Sequence, residues 1–235
     1  MTQSPFQPTE TENKPPFELA TAFAVPLATA RMPNCGATNQ ALRDLFVERA
    51  ALGDAYANPE PRVRRNKTLF ESRFNLFDWP EDCVQTLRKF CIENLFRVVQ
   101  QINGYDQSTL QQLHYGIESW YHITYQGGYF GAHNHPNHSW SGVYCVRHDG
   151  DDPTSNSGRL TFINPNVGGT FYVDAASVRF QPPYSMAPLM LRLEPGQLVL
   201  FPSWVLHEVM PYEGDTERIT VAFNVRFRYS GSGQL

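Results

Sequence analysis

Residues 217–229 read ERITVAFNVRFRY, and their alternation decides the fold. Ile219, Val221, Phe223, Val225 and Phe227 fall on one face of an extended chain. Arg218, Thr220, Asn224, Arg226 and Arg228 fall on the other. A period of two is that of a β-strand, because successive side chains point to opposite faces. The polar face either meets solvent, as is usual in an antiparallel sheet, or lines a polar barrel interior. In the second case Arg218, with Thr220 beside it, offers a fixed guanidinium fork to a carboxylate. Arg226 and Arg228, nearer the end, read as surface charge.

Upstream, from residue 119, short β-type runs follow one another: SWYHITYQ, SGVYCVRH, GRLTFIN, TFYVDA, LMLRLEP and QLVLFP. DGDDPTSNSG, NPNVGG and YEGDTE punctuate them as turns, the texture of an all-β sandwich or barrel. The first half differs. DWPEDCVQTLRKFCIENLFRVVQQI (78–102) carries an apolar stripe at helical spacing, with Asp78 placed to cap and Pro80 in the first turn. NQALRDLFVERAAL (39–52) predicts a second helix capped by Thr38 or Asn39, and DQSTLQQLHYGI (106–117) a short third. FELATAFAVPLATARM (17–32) predicts an extended edge segment broken by Pro26. NPEPRVRRNK (58–67) predicts a solvated loop whose cations hint at an anionic group. Residues 1–16, rich in Pro, Thr, Gln and Glu, predict a disordered tail. The expected plan is α+β and mainly β: residues 17–235 as one domain, with a helical half (17–118) packed on one face of a β-core (119–230).

Composition narrows the function. A net charge of −4 over 235 residues gives no reason to expect nucleic acid as a partner. No apolar run approaches the roughly 20 residues that span a bilayer, and the N-terminus lacks a secretory h-region. Four scattered cysteines (35, 83, 91 and 145) read as reduced thiols of a cytoplasmic protein.

The histidines carry the chemistry. GGYFGAHNHPNH (127–138) holds three of the chain's seven within six positions. Strand parity puts His133 and His135 on one spot, whereas Pro136 sets His138 apart. Barrel closure brings up His207, just past the turn after QLVLFP, as a third ligand. Three imidazoles on one side of an ion leave positions open, the geometry of non-haem Fe(II) sites. His114, His122 and His148 have no partner in the sequence and read as structural or exposed. Trp140, Trp204 and Tyr129 read as core rather than substrate platform.

WYHITYQGGYFGAHNHPNHSWSGVYCV, SGRLTFINPN and PGQLVLFPSWVLHEVMPYEGDTERITVAFNV together resemble the iron(II)- and 2-oxoglutarate-dependent oxygenases. The resemblance is to a mostly uncharacterised group with an H-x-H first motif, spans roughly residues 19–228 and is strongest from 119 onward. It implies a double-stranded β-helix (jelly-roll) core, a mononuclear iron, and 2-oxoglutarate and O2 as co-substrates. By position, His133, His135 and His207 would hold the iron. Arg218 with Thr220 would bind the distal carboxylate of 2-oxoglutarate, with Tyr125 and Asn224 as further contacts. The wider superfamily has a carboxylate where this chain has His135. The expected activity is oxidation, most simply hydroxylation, of an unactivated C–H bond in a small, anionic or amino-acid-like molecule. Two alternatives stand beside it: a cupin-type three-histidine dioxygenase (a thiol dioxygenase, for example) that does not use 2-oxoglutarate, and a non-catalytic jelly-roll binding module.

Overall fold

The computed structural model describes residues 17, 19–66, 68–168 and 172–230. The tail expected at 1–16, and Lys67 of the basic loop, lie outside them. Ten strands form among the described residues: β1 (Ala28–Arg31), β2 (Leu69–Glu71), β3 (Leu113–Thr124), β4 (Phe130–His133), β5 (Trp140–Arg147), β6 (Leu160–Phe162), β7 (Leu189–Leu191), β8 (Gln197–Pro202), β9 (His207–Val209) and β10 (Arg218–Tyr229). A six-stranded antiparallel sheet has the order β1-β8-β5-β10-β3-β2, and a four-stranded one the order β4-β9-β6-β7. From β3 to β10 the chain changes sheet at every step except the β6–β7 hairpin. Eight strands in two facing sheets of four make a jelly roll, the double-stranded β-helix. β1 and β2 extend the larger sheet at its two edges.

β10 lies inside the larger sheet, paired with β3 over its whole length and with β5 on its other side. Its two faces have different fates. Ile219, Val221, Phe223 and Val225 enter a core shared with the helices α1 (Gly36–Ala51) and α2 (Asp82–Asn103). Leu42 and Phe46 of α1, with Val84, Leu87, Cys91, Leu95 and Val99 of α2, complete that layer. The opposite face of β10, from Arg218 to Asn224, points between the sheets and is buried. Its polar residues therefore line an interior, and only Arg226 and Arg228 reach the surface side. A second apolar cluster, with Cys145, Val199 and Phe201 facing Leu160, Phe162 and Val205, closes the sandwich at one end. The helices thus cover one outer face of the larger sheet, as expected, and the space between the sheets is left for a site.

Several local expectations are corrected. Asp78 does not cap α2: it closes a 3-10 turn (Leu76–Asp78), and Trp79 is extended (ψ 139°) because a residue before proline avoids the helical region. Thr38 and Asn39 lie inside the first turn of α1 rather than at its cap. Asn39 is buried, donating to the Val146 carbonyl (3.0 Å) and accepting from the Tyr144 hydroxyl (2.7 Å). The short helix α3 (Gln107–Gln111) is capped by Asp106, and the LHYGI that follows is already β3, which begins at Leu113 rather than near 119. Tyr172–Ala175 of the expected TFYVDA strand are irregular and pair with no strand among the described residues; Tyr172 and Val173 are exposed. All four cysteines are free thiols. Among the described residues no helix is long and apolar enough to cross a membrane.

Candidate metal centre and anion pocket

A cavity of about 620 Å³ opens between the sheets. Its walls include His122, His133, His135, His138 and His207, together with Arg218, Thr220, Asn224, Ser141 and Trp120. That volume lies inside the roughly 300–1,000 Å³ range of small-ligand sites.

The three histidines read as ligands meet here. β4 and β9 pair antiparallel with His133 directly opposite His207, so both rings leave the same face of the smaller sheet. His135 is not on the strand, since β4 ends at His133. Its backbone N–H instead bonds to the Ser203 carbonyl (2.9 Å), which keeps the chain extended long enough to return its ring. Ring centroids stand 4.4 Å (133–207), 5.0 Å (133–135) and 5.1 Å (135–207) apart. One ligand nitrogen from each lies within 4.8 Å of the others.

Tautomers are set by backbone. Nδ1 of His133 donates to the Gly131 carbonyl (2.8 Å) and Nδ1 of His207 to that of Val205 (2.9 Å). Each bond leaves Nε2 as a bare donor atom for a metal. Burial, and then the neighbouring imidazoles, push His135 down to about 2 and His207 to about 4; burial also lowers His133. Three neutral nitrogens converging on one point suit a borderline divalent metal such as iron(II). His138 stays outside the group, its Nε2 lying 3.7 Å from the Glu118 carboxylate.

Arg218 occupies the deep end. It is 2% exposed, its Nε is sealed from solvent without a hydrogen-bond partner, and it makes no ion pair with a described residue. Burial lowers its pKa, and Cys145, Tyr212 and Asp151 only partly oppose that. A buried guanidinium without a partner is costly unless a ligand completes it. Room for it exists because Gly158 lacks a side chain: at φ +58°, a Cβ there would lie 2.8 Å from Arg218 Cδ. Behind it, burial opposes the Asp151 carboxylate's charge, but Arg192, Ser157 and His148 outweigh it and bring the pKa to about 2.

Thr220 and Asn224 line the cavity as expected; Asn224 accepts from the Ser141 hydroxyl (2.7 Å), which also meets Ser203 (2.8 Å). Tyr125 does not line it. It follows the end of β3, is 49% exposed, and leads into a turn through Gly127 (φ +79°). Trp140 is core and Trp204 is exposed.

His122, for which the sequence offers no partner, forms part of the cavity wall. Its Nε2 lies 3.1 Å from the buried Glu71 carboxylate and 3.0 Å from the Trp120 indole N–H. Glu71 is further held by Asn58 and by Arg65 (2.9 Å), from the basic loop. Glu71, His122 and Thr220 stand side by side across β2, β3 and β10. The signal was in the parity of β3, where His122 shares a face with Trp120 and Thr124, but it needed the register to β10 to be read.

Residues 118–224, which contain all three histidines and Arg218, match the family model described as "Putative 2OG-Fe(II) oxygenase". No curated protein matches. Among solved structures, a prolyl-4-hydroxylase from Pseudomonas putida is similar at a TM-score of 0.57 and 16% identity, over 88% of this chain and 94% of that one. A prolyl hydroxylase from Trichoplax adhaerens, in complex with a peptide fragment of hypoxia inducible factor, gives 0.56 and 13% over 85% and 82%. HygX from Streptomyces hygroscopicus, with nickel and 2-oxoglutarate bound, gives 0.54 and 9% over 86% and 82%. At these identities the structures establish the fold alone. Over residues 118–224, somewhat less than half of its length, the chain is similar to the 2OG-Fe(II) oxygenases.

Proposed function

We propose that this chain is an Fe(II)- and 2-oxoglutarate-dependent oxygenase that oxidises, by default hydroxylates, an unactivated C–H bond of a small molecule. The observation that carries the reading is one cavity in which three neutral imidazoles and an unpaired, buried Arg218 face the same space. Histidines alone would suit many metals, and an arginine alone many anions. Their combination fits a ligand that joins a metal-chelating end to a distal carboxylate.

His133, His135 and His207 would hold the iron. Arg218 would take the distal carboxylate of 2-oxoglutarate through its guanidinium fork, with the Thr220 hydroxyl as a second donor. Asn224, which lines the same cavity, would be a further contact with that ligand. When bound, iron(II) and 2-oxoglutarate supply the activation of O2 and the two-electron oxidation, 2-oxoglutarate leaving as succinate and CO2. The chain's own work is to hold and to exclude. Phe130 and Phe201 pack against the metal-type histidines and keep water from them. Trp120, against Phe74 and His135, offers an apolar wall to substrate. The cavity's size supports a small-molecule substrate over a folded protein, and the His122–Glu71 pair supplies one polar point on its wall. Helices and jelly roll are read as one folding unit because they share a core, and reduced thiols suit a cytoplasmic setting.

The test is anaerobic. Iron(II) and then 2-oxoglutarate are added, and the visible charge-transfer absorbance is read, with succinate measured after admission of oxygen. Iron binding without any response to 2-oxoglutarate would favour the three-histidine dioxygenase instead. No stoichiometric metal would leave the binding-module reading.

A further inference from the structure

Behind Arg218 lies a buried charge cluster that the reaction scheme leaves unused. The Asp151 carboxylate, fully shielded, is gripped from both sides by Arg192: Nη1 donates to Oδ2 (2.8 Å) and Nη2 to Oδ1 (2.7 Å). Arg192 Nη1 also donates to His148 Nε2 (2.9 Å), while His148 Nδ1 donates to the Leu193 carbonyl (3.1 Å). His148 is therefore a neutral spacer with both nitrogens engaged. It lies close behind Arg218, with only Gly158 between: a Cβ on Gly158 would lie 3.1 Å from His148 Nε2 and 3.1 Å from Arg218 Nε. Two cations and one carboxylate meet at this end of the cavity, a sum of +1, and the one cation without a partner is the one that faces the ligand.

Asp151 is the carboxylate whose charge acts on Arg218, and Arg192 occupies both its oxygens. We propose that Arg192 and Asp151 act together as positioning residues that meter the charge of the anion pocket, holding it at +1 so that Arg218 stays free to take one carboxylate. Arg192 is then a decoy cation, and its loss hands Asp151 to Arg218. The inference rests on Arg218 being the carboxylate anchor.

The prediction is one of opposite signs. Arg192→Met frees Asp151 to pair with Arg218, bringing the pocket to zero, and weakens carboxylate binding. Asp151→Asn brings it to +2, strengthens carboxylate binding and lets inorganic phosphate in. One unit charge at such range within a protein shifts anion affinity by on the order of tenfold. The double variant returns to +1 and towards wild-type affinity. Binding of succinate, 2-oxoglutarate and inorganic phosphate to the full-length protein is measured by calorimetry and by thermal shift, without turnover. Arg192→Lys, which keeps the charge, must recover what Arg192→Met loses, so the question is decided even if Asp151→Asn fails to fold. A purely structural role would lower affinity in both single variants, and further in the double; that pattern, or unchanged affinity in all, overturns the proposal. If the wild-type chain takes neither succinate nor 2-oxoglutarate, the reading of Arg218 fails first and the inference with it.

Discussion

Arg218→Met separates stability from binding in a way that no other substitution here does. In the ligand-free protein the guanidinium is buried, with Nε sealed and unpartnered. Methionine fills a similar volume without a charge, so removing the unpaired cation stabilises the fold by about 2–4 kcal/mol. For a chain of this size that is a rise in Tm of about 5–15 °C. Binding moves the other way. Hydrogen bonds to a charged group contribute about 1.5–3 kcal/mol, so loss of the fork weakens 2-oxoglutarate by about 150-fold at the upper end. At a concentration about 100 times the wild-type Kd, the ligand stabilises the wild type by about 2.7 kcal/mol but the variant by only about 0.3 kcal/mol. Differential scanning fluorimetry with nickel(II) as a redox-inert metal, with and without 2-oxoglutarate, reads both effects. The expected result is a variant that melts higher and no longer responds to ligand. A variant that melts lower than wild type and still responds would refute the claim that Arg218 is an uncompensated charge awaiting an anion.

Gly158→Ala should damage the same pocket from behind, because φ +58° costs a side chain roughly 1–2 kcal/mol and the new Cβ meets Arg218 Cδ at 2.8 Å; a fall in Tm together with weaker 2-oxoglutarate binding is expected, and a fall in Tm alone would place Arg218 elsewhere. Removing a ligand by His207→Ala or His133→Ala should cost at least about 100-fold in cobalt(II) affinity by calorimetry, whereas His135→Asp, which restores a carboxylate donor, should retain the metal; equal losses in all three would argue that the site is specific for three imidazoles. Acid should unfold the metal-free chain early. His148 and His207 are both lowered to about 4 from 6.5, chiefly by burial, so the fold binds fewer protons than the unfolded chain. Stability is then complete above about pH 6.5 and falls progressively towards pH 4, by roughly 3 kcal/mol for each. Urea midpoints that stay flat from pH 7 to 4.5 would contradict this, and bound metal should remove the His207 share.

Much of this was open to a reader of the sequence, and the reasons are physical. A strand fixes which side chains share a face, so the alternation of β10 already separated Ile219, Val221 and Phe223 from Arg218, Thr220 and Asn224. Parity pointed to His133 and His135 together, although β4 ends at His133 and it is the bond to the Ser203 carbonyl that returns His135; barrel closure supplied His207. What parity cannot say is what stands opposite. Glu71, His122 and Thr220 become neighbours only through the pairing of β2, β3 and β10, and Ser141 reaches Asn224 only through β5. Asp151 and Arg192 lie 41 positions apart and meet because the loop after β5 folds against the segment that leaves the end of β7. Tyr125 fails for the complementary reason: it lies one residue past the end of β3, where the period of two no longer applies.

The substitution at His135 is best weighed against that same register. A carboxylate ligand would remove one charge from a divalent metal; an imidazole removes none. A metal held by these three imidazoles would therefore keep its full +2 opposite a pocket at +1, and a dicarboxylate ligand could offset two of those three charges. In that arrangement the co-substrate would supply the negative charge that three imidazoles lack. Metal and 2-oxoglutarate should accordingly bind with positive coupling, each tightening the other by the same factor. His135→Asp, which returns a charge to the protein, should shrink that factor while leaving metal affinity high. Coupling unchanged by His135→Asp would mean that charge balance is not what ties the two ligands together.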